Sequence, residues 1–107
     1  MVGYSNMPLV KVGAKADLPP GSLTEVLAGE TAVAVCNYQG EFHAVHGTCP
    51  HRGGALAQGS LHGNMLVCPW HAWEFDCITG CYDFDNNIVL QKYAVVEQDG
   101  DVFVETP

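Results

Sequence analysis

The sequence predicts an all-β domain, and three observations predict it. β-Branched and aromatic residues recur in short runs; Gly, Asp, Asn and Pro separate those runs; and no amphipathic helical stretch of ordinary length interrupts them. The first group fits a pleated, half-buried surface and the second supplies turns. At 107 residues and 48% hydrophobic content, the chain suits one domain with a modest core and lacks the signature of disorder.

The expected strands, in order, are Leu9 to Val12, Leu23 to Leu27, Thr31 to Tyr38, Glu41 to Val45, Asn64 to Val67, Tyr93 to Glu97 and Val102 to Glu105. Pro19-Pro20-Gly21 forms a turn before the second strand. Gln39-Gly40 and Asp99-Gly100 each place a glycine between two strand runs, which predicts two β-hairpins. Between Gly47 and Asp85 the pattern breaks. Glycines are dense there, and four of the five cysteines and three of the five histidines crowd together. A loop-rich insertion carrying a site is expected, set into a basal domain formed by residues 1–46 and 86–107.

Twelve acidic residues against four basic ones give a formal charge of -8. Phosphate recognition depends on Lys and Arg, so nucleic acid and anionic lipid are excluded as expected partners, and a basic protein partner suits the charge. The same charge also serves solubility. No apolar run reaches the roughly 18 residues of a membrane span, and the first residues lack the basic start and apolar stretch of a secretory leader. An odd number of cysteines fits a reducing compartment with thiols used as ligands, so the cytoplasm is expected.

Cys49-Pro50-His51 sets a thiolate and an imidazole two positions apart, and Cys68-Pro69-Trp70-His71 sets a second pair three positions apart. Two short loops thus offer one sulfur and one nitrogen each. This suits a 2Fe-2S cluster in which both thiolates bind one iron and both imidazoles the other. Two ferric ions, two sulfides and two thiolates sum to zero charge, so such a centre accepts an electron more readily than an all-cysteine one. The added electron belongs on the iron with neutral nitrogen ligands, which makes the imidazole edges the exit route. Ordinary buried residues, or a structural zinc held by the same four side chains, are the alternatives, although Cys-x-His is tighter than the usual opening of a zinc finger.

The pattern Cys-x-His followed by Cys-x-x-His resembles that of Rieske proteins. The surrounding residues, His51-Arg52-Gly53-Gly54-Ala55-Leu56 and Cys68 to Asp76 followed by Thr79-Gly80, are similar to the cluster loops of Rieske ferredoxins and of Rieske oxygenase N-terminal domains. The ending from Lys92 to Val104 resembles the family's closing hairpin. The resemblance implies three antiparallel sheets, with a cluster-binding subdomain of about residues 47–85 inserted in the basal domain.

Respiratory members of that family tie their cluster loops with a disulfide, and the matching positions here are Gly54 and Trp70. They also place a serine and a tyrosine hydroxyl near the cluster, where this chain has Trp73 and Phe75. Donors to sulfur stabilise the reduced state, so their loss implies the bottom of the Rieske range of roughly −150 to +300 mV. Many members also carry a proline-bearing third loop, which here is Cys81-Tyr82-Asp83-Phe84-Asp85-Asn86-Asn87.

The resemblance therefore implies a one-electron ferredoxin, a monomer or weak oligomer, running between an NAD(P)H-dependent flavin reductase and a Rieske non-haem-iron oxygenase. It would not be the oxygenase itself, which needs a further iron held by two His and a carboxylate. A small Rieske subunit of an NAD(P)H nitrite reductase and a zinc-stabilised structural module are the competing functions. Among other residues, Cys77 and Cys81 flank Ile78-Thr79-Gly80 at a spacing open to a local disulfide, a second metal or plain packing. Cys36 is expected as a small buried hydrophobe. His46 could tune the centre or simply occupy the loop, Trp70 and Trp73 could shield it or pack between subdomains, and Arg52 could meet a partner carboxylate or lie on the surface. His43 and His62 have no specific role.

Overall fold

A computed structural model describes residues 9–50, 53–69 and 73–105. Among the described residues twelve strands run in the order β1 (Leu9–Ala14), β2 (Leu23–Ala28), β3 (Thr31–Tyr38), β4 (Glu41–His46), β5 (Ser60–His62), β6 (Met65–Val67), β7 (Glu74–Asp76), β8 (Cys81–Tyr82), β9 (Asp85–Val89), β10 (Lys92–Tyr93), β11 (Val95–Gln98) and β12 (Asp101–Glu105). Short 3-10 turns cover Lys15–Asp17 and Leu56–Gln58. The strands form three antiparallel sheets, ordered β1-β12-β11, β10-β4-β3-β2 and β5-β6-β7-β8-β9. The all-β expectation and the three-sheet arrangement both hold.

The central sheet is apolar on both sides. Residues alternate across a strand, and along β3 Val33 and Val35 enter a lower core with Phe42, Ala44, Val102 and Val104. Ala34 faces the other way, into an upper core with Val45, Leu56, Leu66, Phe75 and Leu90. This two-sided burial explains the unbroken apolar run Ala32-Val33-Ala34-Val35-Cys36, which a one-sided strand would not need. The buried Asn37 that follows is satisfied, donating from Nδ2 to the Leu18 carbonyl at 2.7 Å and accepting the Gly40 N–H at 2.8 Å.

Both expected hairpins form. Gln39 and Gly40 have φ of 54° and 92°, and Asp99 and Gly100 have 54° and 83°. Two successive positive φ values define the type I′ turn, whose twist matches paired strands. The expected strand Tyr93 to Glu97, in contrast, is two strands in different sheets. Lys92–Tyr93 pairs with β4, whereas Val95–Gln98 pairs with β12. Both parts have strand-forming side chains, so the change of partner at Ala94 leaves no mark in composition.

Within the middle region, β5, β7, β8 and β9 go beyond the one strand expected there. Segments such as Asp85-Asn86-Asn87-Ile88-Val89 have poor intrinsic strand propensity, and their neighbours in the sheet impose the conformation. The turn after Leu56–Gln58 packs tightly against this sheet: a Cβ on Gly59 would lie 1.8 Å from the Val67 carbonyl oxygen. Gly59→Ala should therefore cost at least about 2 kcal/mol of stability, read as a lower urea midpoint. An unchanged midpoint would contradict this close approach.

Candidate metal centre

Each cysteine of the two expected ligand pairs sits at the root of a loop built on strand pairing. The first loop is based on an antiparallel bridge between Thr48 and Ala55, reinforced by Leu56 N–H to the Gly47 carbonyl at 2.8 Å. Cys49 N–H donates to the Gly54 carbonyl at 2.8 Å, and Gly53 N–H returns to the Cys49 carbonyl at 2.9 Å. Gly53 has a φ of 76°, which an L side chain rarely adopts. The second loop springs from the β6–β7 hairpin, with Val67 opposite Glu74, and is closed by Cys68 N–H to the Trp73 carbonyl at 2.7 Å.

In both loops, then, the cysteine amide bonds to the carbonyl five residues on. Cys49 and Cys68 are each 1% exposed and belong to the same upper core. The prolines that follow them, Pro50 and Pro69, are exposed. Each loop therefore starts from a buried thiol and turns outward, and the two thiols converge on one apolar volume.

His51 and His71, with Arg52 and Trp70, lie outside the described residues. Among the described residues no cluster of three or more His, Cys, Asp or Glu is placed to hold a metal. The donor chemistry of Cys49 and Cys68 fits a thiolate-bound centre: they are not joined by a disulfide and are withdrawn from water on two separate loops.

Aromatic packing borders the second loop. Trp73 stacks on Tyr82 with centroids 4.1 Å apart and planes 16° apart, and the fully buried Phe75 lies 6.2 Å from Trp73 and 5.5 Å from Tyr82. The two positions where a respiratory centre has hydroxyls are thus filled by apolar rings that form part of the wall. Tyr82 had no role in the sequence reading. Its place comes from the pairing of Phe75 with Tyr82 across β7 and β8, which no local pattern marks.

On the other side, an open cleft of about 900 Å³ runs beside the first loop, lined by His46, Cys49, Pro50, Asn87, Val89 and Tyr93 among others. The stretch replacing the proline-bearing loop is a β8–β9 hairpin with Phe84 at its tip, 83% exposed. His46 lies at the cleft, half-buried. His62 is exposed and shares a 2.9 Å hydrogen bond with Ser60 Oγ. Cys77 and Cys81 are not bonded to each other.

The fold and the converging thiols define an iron–sulfur carrier of the two-loop type, and the comparisons agree. The Rieske [2Fe-2S] domain family matches residues 8–94, and this chain belongs to that family. It carries one 2Fe-2S cluster and is an electron-transfer ferredoxin, not an enzyme in its own right.

Its relatives include the ferredoxin component of the alkene monooxygenase system of Xanthobacter autotrophicus, 33% identical over 91% of this chain and 80% of that one. The ferredoxin component of biphenyl 2,3-dioxygenase from Rhodococcus jostii is 34% identical over 89% of each chain. Among solved structures, a complex of reduced oxygenase and oxidised ferredoxin in carbazole 1,9a-dioxygenase matches with a TM-score of 0.86 and 30% identity, over 94% of both chains. A Mycobacterium tuberculosis protein assigned as an NADH-dependent nitrite reductase small subunit matches with a TM-score of 0.84 over 96% of this chain and 98% of that one. At 22% identity, that likeness is one of fold alone.

The Trp73–Tyr82 stack should carry measurable stability. Tyr82→Ala should lose about 2 kcal/mol in chemical denaturation, while Tyr82→Phe, which keeps the ring, should stay within about 0.5 kcal/mol. Equal losses in the two variants would assign the effect to the hydroxyl.

Proposed function

We propose that Cys49, His51, Cys68 and His71 hold the cluster, and that the chain passes single electrons from an NAD(P)H-dependent flavin reductase to a Rieske non-haem-iron oxygenase in the cytoplasm. The observation that carries the ligand assignment is the convergence of Cys49 and Cys68, from two separate hairpins, on one apolar core. Each cysteine is followed within two or three positions by one of the two histidines, so each loop can supply a sulfur and a nitrogen. When bound, the cluster supplies a reversible one-electron couple.

The chain's own residues have distinct tasks in this reading. The closing bonds to the Gly54 and Trp73 carbonyls hold each cysteine at a fixed depth. Leu56, Leu66 and Phe75 keep water from the thiolate side. Residues 47–85 act as the cluster-binding subdomain, seated on a basal domain of residues 1–46 and 86–107. The oxygenase as acceptor is supported by the relative that is the ferredoxin component of biphenyl 2,3-dioxygenase, and by the solved carbazole 1,9a-dioxygenase system, in which ferredoxin and oxygenase form a complex. No helix among the described residues is long and apolar enough to cross a membrane.

Purified protein should be reddish-brown, bleach with dithionite and contain two irons and two acid-labile sulfides. His51→Ala and His71→Ala should each abolish the colour and the iron, because loops with so little apolar content need the metal to hold them. A folded His71→Ala protein with unchanged absorption would rule out His71 as a ligand. Colourless protein containing zinc and no sulfide would establish the structural-module alternative.

With apolar rings at Trp73 and Phe75, the midpoint potential should lie near the bottom of the range of roughly −150 to +300 mV. A value well above zero at neutral pH, measured by dye-mediated titration, would overturn that assignment.

A further inference from the structure

Tight turns favour Gly, Asn, Asp, Ser or Pro, because those residues relieve the backbone or bond to it. The turn between β8 and β9 departs from that rule. Tyr82 pairs with Asp85, so Asp83 and Phe84 make the turn, and phenylalanine is a residue type that turn geometry does not ask for. Its side chain is more exposed than any other large apolar one among the described residues. Single apolar side chains on a surface are ordinary. Phe84 is set apart by what holds it and what surrounds it.

The ring is held in place. It meets Tyr82 edge-on, with centroids 5.9 Å apart and planes at 69°, and Tyr82 in turn stacks on Trp73. The turn itself is tied down by the Asp83 N–H, which donates to the Glu74 carbonyl at 2.9 Å. Glu74 directly follows Trp73, whose carbonyl closes the Cys68 loop. A pre-positioned aromatic ring thus stands at the end of the sheet that carries the second cysteine loop. An anchor already held in place loses little freedom on binding.

Acid brackets the ring. Asp83 and Asp85 are both exposed, and the three described lysines are engaged elsewhere: Lys11 with Asp101, Lys15 with Glu97, and Lys92 with the Ile78 carbonyl. The complement of an aromatic ring between two free carboxylates is an apolar contact ringed by Lys or Arg.

We propose that Phe84, with Asp83 and Asp85, is the docking anchor for the electron acceptor, a basic redox protein that closes an apolar contact over the ring and sets cationic side chains against the two carboxylates. The inference rests on the reading of the chain as a one-electron carrier and adds to it the contact residues and the charge of the acceptor's surface. The carboxylates speed the encounter, and the ring lengthens the life of the complex. One electron then leaves the reduced centre and reduces the acceptor, with no bond made or broken.

Mitochondrial cytochrome c, a basic haem protein whose exposed haem edge is ringed by lysines, serves as the probe. Binding of the oxidised, cluster-loaded protein to oxidised cytochrome c is measured by titration calorimetry at low salt, and electron transfer from the reduced protein by stopped flow. Phe84→Ser should weaken binding about tenfold. The double variant Asp83→Asn/Asp85→Asn, which keeps the ring, should weaken it about as much and flatten its dependence on salt. Transfer rates below saturation should fall in parallel, while the visible spectrum, iron content and midpoint potential stay as in the wild type. Asp17→Asn/Asp99→Asn removes the same charge from two exposed acids of the basal domain and should keep binding within about twofold of the wild type.

Unchanged binding in the hairpin variants, an equal loss in the basal control, or no measurable binding by the wild type would overturn the proposal. A wild-type centre that dithionite reduces but that gives no electron to cytochrome c would instead overturn the carrier reading, so the two failures are separable.

Discussion

Strand β3 is buried on both faces, and the two cysteine-bearing loops depend on that arrangement. Val33 and Val35 complete the lower core against β12, while Ala34 and Val45 form the floor on which Leu56, Leu66 and Phe75 rest. Each buried aliphatic side chain contributes roughly 1.5–3 kcal/mol. The short strands β5 to β9 have few such residues of their own. Without the floor supplied by the central sheet, the hairpin carrying Cys68 and the bridge carrying Cys49 would have nothing common to pack against, and the two thiols would not share one core.

The electrostatics follow a similar division between ends. Lys11 pairs with Asp101 at 3.3 Å and Lys15 with Glu97 at 2.9 Å, all around the basal sheet, while the Lys92 ammonium donates to the Ile78 carbonyl. Exposed pairs of this kind add little stability. On the β8–β9 hairpin Asp83 and Asp85 flank the exposed Phe84, and among the described residues no salt bridge engages either one.

Much of this was legible in the residues. The Thr31 to Tyr38 strand has the bounds expected for it, because the β-branched run ends at a Gln39-Gly40 pair with room for only one kind of turn. Cys49 and Cys68 could be read as candidate ligands because each stands within two or three positions of a histidine, a spacing written within a single loop. The run Tyr93 to Glu97 was misread because its two halves pair with β4 and β12, and strand propensity cannot say which neighbour a residue will find. Strands β7 and β9 went unseen because acidic and amide residues occupy them, and their conformation comes from the sheet around them.

By itself the sequence determined what is local: the all-β class, the two β-hairpins at Gln39-Gly40 and Asp99-Gly100, and the two short stretches in which a cysteine precedes a histidine. Those features depend on backbone φ, on side-chain branching and on separations of a few residues, all of which act without the rest of the chain. Only the tertiary structure decided the contacts made over distance. It brought Cys49 and Cys68 into one core and stacked Tyr82 on Trp73. The physical reason is that each of these contacts is set by how sheets register and pack on one another, and that packing is a property of the whole chain.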